Sequence, residues 1–349
     1  MRVLSSWASA CGGAVDRGLR FGLRWPARSH EPGAPMSCRS CIPALVIVLA
    51  AATAGVGCAT VAPAGRDAHE EARSGEGTTT LRAAVPAPAR RGPAFEYAYR
   101  PPSAPDLQPI YRRVVEADLW RQLPELEELD GLFALPRRLR LVTAECGEPG
   151  AFYRPAQGEV VLCYESLRTL YAQGQAHRQA LGLGEDHPLR YVRANVRFMV
   201  LHELGHALVD LFDLPVTGRQ EDAVDQLAAI LMLRFGGRDE SPGEVIEDLR
   251  LVANWMLSRS TGAYDIDAFA DEHALGEQRF FNLQCLVYGT DPDAFAGMVD
   301  AGDLTAARAA SCPRESRQTS RAWLRLLLPY LAPGAQAYRE EAEAFLRQR

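Results

Sequence analysis

Residues 191–230 read YVRANVRFMVLHELGHALVDLFDLPVTGRQEDAVDQLAAI, two largely apolar stretches parted by Leu214, Pro215 and Gly218. The first predicts a helix from about Leu189 to the Leu214–Pro215 break, and the second a helix over Glu221 to Phe235. His202 and His206 are four residues apart, so they stack one turn apart on one helical face, where both imidazoles can reach one metal ion. Glu203 projects beside them toward a water molecule on that ion. Phe198, Leu201, Leu208, Val209 and Phe212 make the helix largely apolar, as a buried helix is, and Gly205 admits a second backbone at close range. Buried imidazoles and a carboxylate need partners, because an unpaired polar group in such surroundings is costly. The plainer alternative is a core helix whose histidines satisfy each other and nearby carbonyls.

A catalytic zinc takes three protein ligands and leaves a fourth position for water. Glu221 and Asp225, one helical turn apart in the second stretch, supply the missing parts. Glu221 is the candidate third ligand. Asp225, on the same face, is the acceptor for the outer nitrogen of a ligand histidine, most directly His202. Asp210 and Asp222 are rivals for the third position. Asp210 lies a further turn along a straight helix, poorly placed to close a tetrahedron, and Asp222 reads more simply as a first-turn helix charge. His273 and Arg279 are candidates to stabilise charge developing in a transition state, with Tyr264 and Tyr288 behind them. His273 reads equally as a capping or surface histidine, and Arg279 as the partner of a structural carboxylate such as Asp222.

Outward from these helices, FEYAY from Phe95 opens with strand-like alternation, Leu107 to Leu132 has helical spacing, and Leu139 to Val142 alternates as a strand does. AFYRPAQGEVVLCYE, residues 151–165, predicts a hairpin turning at Pro155 to Gly158, with Val160 to Leu162 as the candidate edge for an extended peptide. Helices are expected over Glu165 to Leu181, Gly243 to Ser258, Gly276 to Tyr288 and Ser320 to Leu331, and after Pro333. Helices dominate and the strands come early, which is the α+β class, mainly helical with a small early sheet.

The first hundred residues read as delivery. CIPALVIVLAAATAGVGC, residues 41–58, is an apolar run ending in small residues, the pattern of a signal peptide and too short for a permanent span. Since 35 residues precede Met36, the expected start is Met36, with Arg39 as the positive n-region, and residues 1–35 are a mis-assigned extension. Residues 36–58 are then the signal. Cys58, after Gly55, Val56 and Gly57, resembles a bacterial lipoprotein processing site that would give a lipid anchor; ordinary cleavage near Ala54 is the alternative. Residues 59–93, rich in Ala, Pro and Gly, cannot bury enough surface to offset ordering and read as a flexible tether, leaving 94–349 as the catalytic domain. Of eight cysteines, Cys146, Cys163, Cys285 and Cys312 remain beyond the signal, an even number for an oxidising compartment. Local pairing favours Cys146 with Cys163 and Cys285 with Cys312, and no CxxC spacing marks them as metal ligands. Lys and Arg total 38 against 44 Asp and Glu, a formal charge of −6 with no long basic block, which argues against a nucleic-acid partner.

HELGHALVDLFDLPVTGRQEDAVDQLAA, with AFYRPAQGEVVLCYE before it and EHALGEQRFFNLQCLVYGTDP after it, resembles a family of bacterial envelope zinc metallopeptidases of unknown function. HExxH followed by ExxxD is the gluzincin pattern. The resemblance covers Phe95 to the end and implies a zincin-like, gluzincin-type domain with one Zn2+ on His202, His206 and Glu221. The chain departs from the family at Gln220, usually acidic, and Gly150, usually Asn; Gly150 bears on how the hairpin is held. The expected activity is hydrolysis of a peptide or protein substrate by zinc-activated water with Glu203 as general base. A cell-wall amide hydrolase would use the same parts, and an envelope binding module with a structural zinc is the non-enzymatic alternative.

Overall fold

The computed structural model describes residues 94–236, 240–260 and 266–348. The expected extension, signal and tether, with Cys58, lie outside the described residues, as does Tyr264.

Four strands come first. They are β1 (Phe95–Tyr99), β2 (Leu139–Ala144), β3 (Ala151–Arg154) and β4 (Glu159–Cys163), with α1 (Gln108–Glu116) and α2 (Pro124–Leu129) between the first two. Helices follow: α3 (Tyr164–Leu181), α4 (His187–Phe212), α5 (Gln220–Phe235), α6 (Pro242–Ser258), α7 (Ile266–Ala270), α8 (Gly276–Tyr288), α9 (Gly297–Asp300), α10 (Ala306–Ala309), α11 (Cys312–Leu327) and α12 (Gln336–Arg347). This is a mainly helical α+β protein. The segment read as one helix from Leu107 to Leu132 is broken, with Asp118 in the left-handed region and a 3-10 turn at Leu119–Gln122. Helix α11 starts earlier than expected, at Cys312.

The sheet order is β1-β2-β4-β3; β1 and β4 flank β2 in parallel, and β3 pairs antiparallel with β4. The expected hairpin is present, with Phe152 opposite Val161 and Tyr153 opposite Val160. Val160 to Leu162 is not an edge, however. β4 is covered on both sides by strands and each of its five residues is buried, so the edge strand of the hairpin is β3, with β1 at the other edge of the sheet. The cause is the parallel pairing of β4 with β2, a non-local contact that satisfies the backbone groups a hairpin alone would leave open.

Leu139, Leu141, Val160 and Leu162 turn one face of the sheet to the main core, and Val142, Ala144 and Val161 form a smaller cluster on the other. Helix α4 runs through the main core with Phe198, Leu201, Leu204, Leu208 and Phe212 buried. Arg197 on α4 is fully buried and is held by Glu125 of α2 (Nε to Oε1, 2.9 Å) and Asp248 of α6 (Nη1 to Oδ2, 2.9 Å). These ion pairs lock the rotation of α4 against two neighbours. The cysteines pair as Cys146–Cys163 and Cys285–Cys312, with Cα separations of 5.6 and 5.0 Å. Among the described residues no helix is long and apolar enough to cross a membrane.

Candidate metal centre

The centre forms where α5 crosses α4. Gly205 makes the crossing close: a Cβ added there would fall 2.9 Å from Cβ of Val224, so only glycine lets the two backbones approach this far. Val224 lies between Glu221 and Asp225, and the approach delivers both carboxylates to the histidines. Arg219 caps α5 in extended backbone, and the first turn carries Glu221 and Asp222 at the positive end of the helix dipole.

His202 Nδ1 lies 2.8 Å from Asp225 Oδ1, while its Nε2 lies 3.0 Å from Glu221 Oε2 and 3.2 Å from His206 Nε2. His206 Nε2 is 3.3 Å from Glu221 Oε1. One ligand atom from each of His202, His206 and Glu221 lies within 4.8 Å of the others, a group able to hold a metal ion. Neutral His202 has one proton, and Asp225 draws it to Nδ1. Its Nε2 lone pair then faces carboxylate oxygens and a second imidazole, an arrangement of acceptors that calls for a cation. The donor set therefore fits a metal such as zinc.

The electrostatics carry the same demand for positive charge. Burial disfavours the imidazolium of His202, yet Asp225 and Glu221 outweigh it and raise its pKa to about 9. Burial works against charge on Glu221, but hydrogen bonds from His202, His206 and His273 hold its carboxyl far below the usual range. Burial likewise opposes charge on Asp225, which His202 and Arg279 overcome, keeping it ionised. Glu203 is pushed up by burial, against the opposing pull of His202 and His206.

Glu203 sits beside the histidines with its Oε2 accepting the backbone N–H of Tyr153 at 2.8 Å. Tyr153 is on β3, so the β3 edge of the sheet faces the centre. Nothing in the sequence singles out that contact, since a backbone donor has no residue signature. The Tyr153 hydroxyl donates to Asp210 at 2.6 Å, which removes Asp210 from contention for the metal. Gln220, one of the two departures from the resembling family's pattern, lies with Oε1 3.3 Å from His206 Nδ1, so the amide oxygen can accept the outer proton of that ring. At Gly150 a Cβ would meet the Phe152 ring at 2.4 Å, and the backbone there is tied to Ser166 Oγ through both N–H and C=O.

His273 and Arg279 both reach the centre, in different ways. His273 precedes α8, is partly exposed, and places Nε2 3.0 Å from Glu221 Oε2. Arg279 donates from Nε and Nη2 to the two oxygens of Asp225, at 2.7 and 2.8 Å. Its partner is Asp225, not Asp222. Tyr288 is partly buried and packs against the hydrophobic core.

A glutamate-bearing helix with two histidines a turn apart, a carboxylate from the next helix and an edge strand over the glutamate make up a group able to hold a metal ion. A family model described as "Putative metallopeptidase" matches residues 99–327, and the chain belongs to that family. The matched span takes in every side chain of the centre and both disulfides. No curated protein and no solved structure matched the chain.

Proposed function

We propose that this protein is a zinc-dependent peptide-bond hydrolase of the bacterial cell envelope, with one ion on His202, His206 and Glu221 and with Glu203 as general base. The observation that carries the reading is the convergence of the Nε2 atoms of His202 and His206 on both Glu221 oxygens, while Asp225 faces Nδ1 of His202. When bound, zinc supplies Lewis acidity that activates water near neutral pH and polarises the scissile carbonyl.

The remaining work falls to the chain. The Tyr153 N–H holds Glu203 Oε2, leaving Oε1 to take a proton from the attacking water and pass it to the leaving amine. Burial raises the Glu203 pKa, which suits a group that must both accept and release a proton. Asp225, clamped by Arg279, fixes the tautomer and orientation of His202. Because backbone groups alternate along a strand, Ala151 and Tyr153 turn theirs away from β4; with the Tyr153 N–H held by Glu203, the groups of Ala151 and the Tyr153 carbonyl are where an extended peptide would pair. Of the two cationic candidates for the developing oxyanion, His273 is the one that can turn to a substrate, since Arg279 is committed to Asp225.

The envelope assignment rests on the apolar run at 41–58 and on two disulfides, which suit an oxidising compartment. Fatty-acid labelling that persists in Cys58→Ser would remove the lipid anchor. The activity is tested with the zinc-loaded chain on a broad peptide library and on cell-wall fragments. Peptide cleavage that falls by about 100-fold or more in Glu203→Gln, with zinc retained, is the expected result. Zinc retention without turnover of any peptide would leave a binding module, and cleavage of cell-wall amides alone would move the substrate class.

A further inference from the structure

Beside the centre, an open cavity of about 420 Å3 is lined by Arg219, Asp222, Ala274, Glu277, Phe281 and Asn282 among others. We infer that it is a side-chain pocket selecting a basic residue, lysine or arginine, next to the bond that is cut. The inference rests on the hydrolase reading above.

Two elements place the cavity at the centre's margin. Asp222 directly follows Glu221 on α5, and Ala274 directly follows His273, whose Nε2 lies 3.0 Å from Glu221. Arg219 of the wall bonds the His273 carbonyl, so the cavity lies beside the imidazole that faces Glu221, within reach of a long side chain near a bond held at the metal.

The chemistry of the wall favours a cation. The Asp222 carboxylate is partly buried and makes no hydrogen bond or ion pair among the described residues, unlike Asp225, which Arg279 and His202 neutralise. A carboxylate withdrawn from water without a partner is costly, and an incoming ammonium or guanidinium offsets that cost. Asp222 is the carboxylate that faces the cavity without a partner among the described residues, since Glu277 accepts from Ser260 Oγ, and the one guanidinium of the wall, Arg219, directs its Nη1 to the His273 carbonyl at 3.4 Å. Phe281 is 40% exposed, a surface for the methylenes of a long side chain and a face for its charge. An acidic side chain would meet like charge, which gives the pocket a means of rejection as well as attraction.

The test uses the full, zinc-loaded chain carrying Glu203→Gln, so that peptides bind without turnover. Fluorescence anisotropy follows Gly/Ala peptides in which one Arg, Lys, Gln or Glu is moved through the sequence. At one position Arg and Lys should bind at least about tenfold more tightly than Gln, with Glu weakest. Adding Asp222→Asn should erase the preference, Asp222→Glu should keep it, and Phe281→Ala should weaken Arg binding, with matching thermal melts confirming the fold. Equal affinity for Arg and Gln everywhere, a basic preference that survives Asp222→Asn, or no peptide binding would overturn the pocket. Cleavage by the chain with Glu203 intact separates the two readings. Turnover without basic preference removes the pocket alone, and basic preference in binding without turnover of any peptide removes the hydrolase alone.

Discussion

Replacing Gly205 by alanine adds one methyl group where α5 crosses α4, and the structure gives the size of the conflict. The new Cβ would lie 2.9 Å from Val224 Cβ, 3.0 Å from Cγ1 and 3.5 Å from Cα. Carbon atoms are most comfortable at about 3.5–4.0 Å, so α5 must withdraw by roughly 0.6–1.1 Å, the difference from the 2.9 Å contact. Glu221 and Asp225 ride on the same turns as Val224 and withdraw with it. Metal–ligand distances tolerate about 0.2 Å, so zinc affinity should fall by at least about tenfold. Stability should move less. Alanine gains about 1 kcal/mol of helix propensity over glycine, while overpacking costs about 1–3 kcal/mol, for a net loss between zero and about 2 kcal/mol. Competition with a chromophoric chelator gives the affinity, and melting of the metal-free protein gives the stability. Adding Val224→Ala removes the Cγ1 contact but leaves the one at Cβ, so recovery should be partial. A Gly205→Ala protein with undiminished zinc affinity would refute the idea that helix proximity sets the third ligand.

Asp225→Asn keeps the shape but removes the charge that faces His202 and Arg279, so zinc affinity should drop by about 10–100-fold; the same titration checks it. Metal-free protein should lose stability as pH rises. The folded His202 pKa of about 9 exceeds its ordinary 6.5, so the contribution is complete below pH 6.5 and is lost as pH climbs through 9. The difference corresponds to at most about 3 kcal/mol, read by denaturant titration across that window, and a flat or rising curve would contradict it. Bound zinc should suppress this trend, because ligand imidazoles coordinate unprotonated. Reducing Cys285–Cys312, which joins residues 27 apart, should cost about 2–4 kcal/mol, seen as a lower melting temperature in dithiothreitol.

Much of the centre was legible because its spacing is helical. His202 with His206, and Glu221 with Asp225, are each four apart, and a four-residue step on a helix is a statement about one face. Local cysteine pairing was legible for a similar reason, each pair closing a short stretch of chain. Features set by distant contacts were not. The β4 strand took its central place from pairing with β2, and only the unbroken apolar run Val160, Val161, Leu162 hinted that both its faces were covered. Arg279 pairs with Asp225 and not Asp222 through the packing of α8 on α5, a contact between distant segments that no local pattern encodes. The Tyr153 N–H that holds Glu203 is a main-chain group on an edge known only once the sheet is ordered.

The central claim is that His202, His206 and Glu221 together hold one catalytic zinc. Zinc content per purified chain, measured by mass spectrometry for the natural sequence, Glu221→Ala and Glu203→Gln, tests it most directly. The account predicts one zinc per chain, its loss in Glu221→Ala, and its retention in Glu203→Gln. A Glu221→Ala protein that still holds a full equivalent of zinc and still cleaves peptides would contradict it.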